Sequence, residues 1–262
     1  MSFLSYIDPR LVFSGFCVGF LVGMTGVGGG SLMTPLLILL FGVQPVTAVG
    51  TDLLFAASTK TVGTLVHGVA RTIDWRLVGL LATGSVPATV ATLIVLAAVG
   101  TSGTTARHLI TLTLAGVLLL TSTFLFFANR VRARHANRIS RLDQGSVRLF
   151  TVALGGAMGI LVTFTSVGAG AIGVTVLFLL HPKMPVARIV GSDIAHAVPL
   201  TLVAGIGHWW LGSVDWSLLG TLLIGSAPGI FAGSYLAGRA PDGAVRVALA
   251  FVLLAVAIKL IV

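Results

Sequence analysis

Glutamate is absent from this sequence: all seven acidic residues are aspartates, set against sixteen lysines and arginines. Charge of either sign is scarce, at 9% of residues, where a soluble domain carries about 25%. With 56% hydrophobic residues and a mean hydropathy of +1.07, a water-soluble fold would leave most apolar side chains without a core. The chain is therefore read as an all-α polytopic membrane protein. Cysteine occurs once, as Cys17 inside an apolar run, which excludes an internal disulfide and a cysteine-rich metal site. The N-terminus MSFLSYIDPR has neither a basic lead-in nor a small-residue cleavage site, so no cleaved signal peptide is expected. In a soluble protein the net charge of +9 would suggest nucleic acid. In a membrane protein it reads as cytoplasmic loops obeying the positive-inside bias, and nucleic acid drops out as a partner.

The stretch that organises the chain is Met24 to Pro35, MTGVGGGSLMTP. An apolar run enters it from Leu11 and another leaves it through Leu36 to Phe41, and neither reaches the roughly 20 residues of a membrane crossing. The glycines between them suit a tight turn and close backbone approach. This predicts two short helices meeting at a glycine turn inside the membrane. A weaker copy stands at Phe164 to Val174, FTSVGAGAIGV.

Around these turns the sequence divides into five apolar segments, at about 11–24, 31–41, 46–66, 77–99 and 108–127. After a polar, Arg-rich stretch at 129–148 the pattern restarts at about 149–164, 171–180, 186–209, 216–236 and 244–262. We expect a first repeat (1–128), a cytoplasmic linker (129–148) and a second repeat (149–262) within one integrated membrane domain. At an offset of 140, Gly19, Thr25, Gly28 and Gly30 match Gly159, Thr165, Gly168 and Gly170. One inserted residue makes the offset 141. Gly50-Thr51-Asp52 then faces Gly191-Ser192-Asp193, His67 faces His208, and Asp74-Trp75 faces Asp215-Trp216. Apolar composition alone does not produce such matches in one register, so the duplication is genuine.

Five segments is an odd number, so the second repeat enters the membrane from the opposite side. With the Arg-rich centre in the cytoplasm, twelve of the sixteen cations fall inside and three (Arg10, Arg107, Lys259) outside, with Lys60 within a segment. Both termini then lie outside an inner cell membrane. Inverted repeats with broken helices meeting near the midplane characterise secondary transporters.

Helix starts expose unpaired N–H groups and partial positive charge, so two of them converging make an anion site. The expected substrate-binding residues are Thr25, Gly28, Gly29, Gly30 and Ser31 at the first turn, and Thr165, Ser166, Gly168, Ala169 and Gly170 at the second. Thr34 adds a further hydroxyl. A purely structural reading, in which the glycines only let helices pack closely, stands beside this one. Lys60 is placed to neutralise a bound anion, or else snorkels or pairs with an aspartate; its repeat counterpart is Thr201. Asp52 and Asp193 either cap the loop amides of the glycine hairpins or carry coupling protons. His196, three residues after Asp193, shares its helix face. His67 and His208 close their segments and are expected at the interface. Asp74-Trp75 and Asp215-Trp216 read as helix N-caps with interfacial aromatic anchors. No cofactor or resident metal is expected; the partners are a small anion and the lipid bilayer, with a homodimer left open.

These residues carry a family likeness. The GxTGVGGGxLxxP-type stretch at Gly23 to Pro35, the PVxAVGTD start at Pro45 to Asp52 and the diverged second copy around Thr163 to Gly173 resemble the TauE/SafE family of sulfite exporters. The resemblance covers nearly the whole chain and implies secondary transport of small sulfur-containing anions, including sulfite and organosulfonates such as sulfoacetate. Together with the residue reading it implies proton-linked export by alternating access. The alternatives are a divalent-metal permease built on Asp193 and His196, a passive anion channel, and a membrane-embedded hydrolase using Ser31 or Ser166. The last has no nucleophile-elbow motif and no assigned base.

Overall fold

The computed structural model describes residues 8–25, 30–100, 103–139, 143–168, 170–236 and 242–261. These residues form ten helices: α1 (Pro9–Thr25), α2 (Gly30–Phe41), α3 (Pro45–Val69), α4 (Trp75–Val99), α5 (Thr104–Ile139), α6 (Gln144–Thr165), α7 (Ala171–Leu180), α8 (Val186–Trp210), α9 (Trp216–Leu236) and α10 (Asp242–Ile261). Among the described residues no strand is present, and five helices are long and apolar enough to cross a membrane. The molecule is a multi-pass membrane protein. Each expected segment corresponds to one helix, with ends within a few residues of the prediction, except for the fifth. That segment was expected to end near Phe127, whereas α5 stays helical to Ile139, into the polar stretch. The reason is local: NRVRARHANRI contains no glycine or proline and is rich in Arg and Ala, which favour helix.

Helix starts are set by short-range chemistry. The Asp74 carboxylate accepts the amides of Arg76 and Leu77 and so opens α4; Asp143 accepts those of Gly145 and Ser146 and opens α6. Bonds from the Ser146 hydroxyl and amide hold the Asp143 carboxyl below its usual range. Asp215 caps α9 in the same way, accepting the Leu218 amide at 2.9 Å. Pro45 occupies the first turn of α3, where a missing N–H costs nothing. At 12 and 10 residues, α2 and α7 span only about 18 and 15 Å, half of a bilayer core.

The helices pair across the two halves of the chain. The most extensive packing joins α1 to α9, α4 to α6, α3 to α8 and α5 to α10. Two of these contacts depend on glycine. A Cβ on Gly19 of α1 would stand 2.5 Å from the Ser226 carbonyl of α9, and one on Gly159 of α6 would stand 2.5 Å from the Ser85 carbonyl of α4. These positions correspond in the sequence repeat, so the α1·α9 and α6·α4 seams are built alike. Small residues that let backbones meet are how membrane helices associate without a hydrophobic drive. Both apolar cores also mix the halves. Leu53, Leu81, Met158 and Leu200 belong to one, and Met33, Phe55, Leu118 and Leu222 to the other. Neither half has a core of its own.

Gly19→Val and Gly159→Val should therefore be equally damaging, each costing about 1–3 kcal/mol through overpacking. The check is the melting midpoint of the purified protein in detergent, where an unchanged midpoint for either variant would contradict the shared seam.

Candidate functional site

Two interruptions of helical backbone frame the site. The first separates α1 from α2. Gly28 and Gly29 lie outside the described residues, and at Thr25, Gly30 and Ser31 only the helical backbone is described. The second separates α6 from α7, and Ala169 lies outside the described residues there. Ser166 is left-handed (φ 57°) and its N–H returns to the Val162 carbonyl at 2.7 Å, closing α6. Gly168, with φ of 114°, turns the chain through a conformation that a side chain would strain. Gly170 then precedes α7 and accepts the Val174 amide at 3.0 Å. The Thr165 hydroxyl serves this turn, donating to the Leu161 carbonyl (2.6 Å) and accepting the Val167 amide (3.1 Å). The Ser166 hydroxyl is buried without a partner.

Both acids sit against the first turn of a short helix. Asp52 is fully buried, and its Oδ2 accepts the Thr34 amide (3.1 Å) and the Thr34 hydroxyl (2.6 Å) from α2. It also faces Ser166 of the second junction, which places the two interruptions on either side of one carboxylate. Asp193 occupies the matching place on α8. Its Oδ1 lies where a Cβ on Gly173 of α7 would stand 2.6 Å away, so glycine is required there. Oδ1 of each acid is without a donor, but Asp52 accepts two bonds on Oδ2 whereas no bond to Asp193 is found among the described residues. Lys60 is 7% exposed and lies within electrostatic reach of both Asp52 and Asp193.

His196 is buried beside them. Its Nε2 bonds the Ser85 hydroxyl of α4 at 2.8 Å, its Nδ1 has no partner, and it feels the charge of Lys60. Among the described residues six buried polar side-chain atoms have no partner, and four belong to this cluster: Asp52 Oδ1, Ser166 Oγ, Asp193 Oδ1 and His196 Nδ1. Unsatisfied buried groups cost about 1–3 kcal/mol each and gather where a site has work to do.

A pair of crossed latches flanks the cluster. The Asp74 N–H donates to Ser192 Oγ at 2.8 Å, and the Asp215 N–H donates to Thr51 Oγ1 at 3.0 Å. Each hydroxyl stands one residue before a buried acid, and each N–H belongs to the N-cap of a helix in the other half of the chain. Close approach accompanies each latch: Gly50 meets the Ser213 carbonyl and His208, and Gly191 meets the Thr72 carbonyl and His67. His208, expected at the interface, is instead fully buried, and its Nε2 donates to the Thr163 carbonyl at 3.0 Å. That carbonyl belongs to the last turn of α6, where no intrahelical donor reaches it. Sequence reasoning named the Thr34 hydroxyl but not its bond to Asp52, and it missed Ser85 and both latches, although the repeat had already aligned Thr51 with Ser192 and Asp74 with Asp215.

Helices long and apolar enough to span a membrane, around a buried cluster of ionisable groups, define a polytopic membrane protein. Residues 11–260 match the family described as Sulfite exporter TauE/SafE. The chain is similar to the Probable membrane transporter protein YjnA of Bacillus subtilis, 36% identical over 97% of this chain and 100% of that protein. It is 29% identical to the Probable membrane transporter protein YdhB of the same organism, over 86% of this chain and 89% of that one. To a Probable membrane transporter protein of Xylella fastidiosa it is 26% identical, over 86% and 83% of the two chains. No solved structure matches. The chain belongs to the TauE/SafE sulfite exporter family, and it is a membrane transporter.

The bond from Thr34 predicts a specific mutational pattern. Thr34→Val removes a hydroxyl donor from a buried carboxylate and should cost about 1–3 kcal/mol, whereas Thr34→Ser should recover most of that loss. Melting midpoints of the two variants test this; a Val variant as stable as the Ser variant would show that the Thr34 hydroxyl does not hold Asp52.

Proposed function

We propose that this transporter exports a small sulfur-containing anion, sulfite or an organosulfonate such as sulfoacetate, with proton coupling and by alternating access on two inverted repeats. The observation that carries the reading is Lys60, an ammonium buried beside one acid from each repeat where the starts of α2 and α7 meet those acids. Amide-rich helix starts and a desolvated cation suit an anion far better than a neutral solute. Roles follow from position. The junction residues Gly30, Ser166, Gly168 and Gly170 present backbone and hydroxyl donors. Lys60 supplies positive potential, and Asp193 and His196 are the two candidates for carrying a coupling proton.

Repeat-related seams and crossed latches support inverted repeats, because each contact made by one half is returned by the other. The bias of twelve cations in sixteen supports placing the Arg-rich stretch in the cytoplasm and both termini outside. A metal permease has less support: among the described residues no group of three or more His, Cys, Asp and Glu could hold an ion.

Calorimetric binding by the purified protein across sulfite, sulfoacetate, thiosulfate, sulfate and a divalent metal tests the reading. Saturable binding of one sulfur anion is expected. Lys60→Gln should weaken it roughly ten- to a hundredfold, the loss of one charge-assisted bond, and Gly168→Val should remove it by distorting the second junction. Anion binding indifferent to both substitutions would refute the site, and a metal response without an anion response would promote Asp193 and His196 to ligands.

A further inference from the structure

We infer that the transported anion binds together with a proton, and that Asp193, not Asp52, accepts it; the inference rests on the anion-carrier reading above. The argument is a balance of buried charge. With Lys60 protonated and both acids ionised, the cluster holds one ammonium and the two carboxylates of Asp52 and Asp193, all at least nine-tenths buried. The starts of α2 and α7, which these acids touch, add about half a positive charge each. The sum is close to zero. A monovalent anion entering this space brings one uncompensated negative charge, and a buried, apolar surrounding penalises it heavily. One proton arriving with the anion restores the balance, and the ammonium released from its carboxylate turns to the ligand.

Three groups could take that proton, and the geometry separates them. Asp52 Oδ2 accepts two donors from Thr34, so its ionised form is the one these bonds favour. His196 would become a second buried cation facing Lys60, which repels it. Oδ1 of both acids is without a donor, but Asp193 accepts no hydrogen bond among the described residues, so it has nothing like the Thr34 pair to hold it ionised. The groups around Asp193 are Lys60 of α3, which also faces Asp52 and His196, Gly173 of α7 and Met158 of α6. In the loading step bulk water supplies the proton to the Asp193 carboxylate as the anion docks on Lys60, and both leave together on the far side. Anion and proton thus move in the same direction. For a monovalent substrate the step is electroneutral, and outward flux is driven by the substrate's own gradient.

The test uses the full chain in nanodiscs of neutral lipid and methanesulfonate, a monovalent sulfonate with no group titrating near neutral pH. Binding heats measured in two buffers of different ionisation enthalpy give the number of protons exchanged. Uptake of about one proton per anion is expected, with affinity falling roughly tenfold per pH unit as pH rises. Asp193→Asn, a neutral mimic of the protonated acid, should bind without proton uptake and without that pH dependence. Binding with no proton uptake, or with release, overturns the inference and leaves the anion site standing. Proton uptake that survives Asp193→Asn overturns the assignment to Asp193. Absence of any anion binding by the unaltered protein overturns the carrier reading itself. Should Asp193→Asn fail to fold, the two-buffer measurement on the unaltered protein still decides whether a proton enters.

Discussion

An ammonium group held inside an apolar helical bundle is the constraint on which the rest of this structure depends. Burial of an ion costs several kcal/mol even after relaxation, so Lys60 persists only if nearby charge compensates it. Asp52 supplies one carboxylate from the same helix and Asp193 another from α8, which explains why α3 and α8 pack against each other through the centre. Those carboxylates in turn need donors. Thr34, the fifth residue of α2, delivers both its amide and its hydroxyl to Asp52.

The scaffold is symmetric and the site is not. Gly19 and Gly159 make the same backbone contact, and Thr51 and Ser192 accept the same N-cap amide. At the centre the correspondence fails: Lys60 faces Thr201 in the repeat register, Thr34 faces Val174, and His196 faces Phe55. The first half therefore contributes a cation and an acid locked by two donors. The second contributes an acid with a bare oxygen and an imidazole tied on one side only. Two duplicated halves have kept the contacts that hold helices together and diverged where charge is handled.

Much of this was legible in the sequence. The glycine stretches marked the helix breaks, and Asp74 and Asp215 were recognisable as N-caps because capping is a matter of two or three neighbouring residues. The buried cluster was readable too, since Asp52, Lys60, Asp193 and His196 are the polar exceptions in apolar segments. What stayed hidden is contact between distant residues: the latches join positions 118 and 164 apart, and His196 meets Ser85 across 111. The burial of His208 escaped for a related reason, because the carbonyl that receives it belongs to α6, 45 residues away. The continuation of α5 beyond Phe127 was a different kind of miss. Polarity was read as loop, although the stretch has good helix propensity and nothing to stop it.

The distribution of strong and weak contacts also bears on which parts of the bundle rearrange. The α1·α9 and α4·α6 seams are backbone-to-backbone contacts through several glycines each, with no slack for a side chain. Each such pair moves as a unit or not at all. The latches, by contrast, are single hydroxyl–amide bonds, worth about 1 kcal/mol each, at opposite ends of the α3·α8 crossing. They are anchored one residue from Asp52 and Asp193, so a shift of either acid towards or away from Lys60 is felt directly at the adjoining latch. A rearrangement that spares both seams is a swing of α3 and α8 between them, opening one latch while the other holds. The energy needed is of the same order as one charge-assisted hydrogen bond.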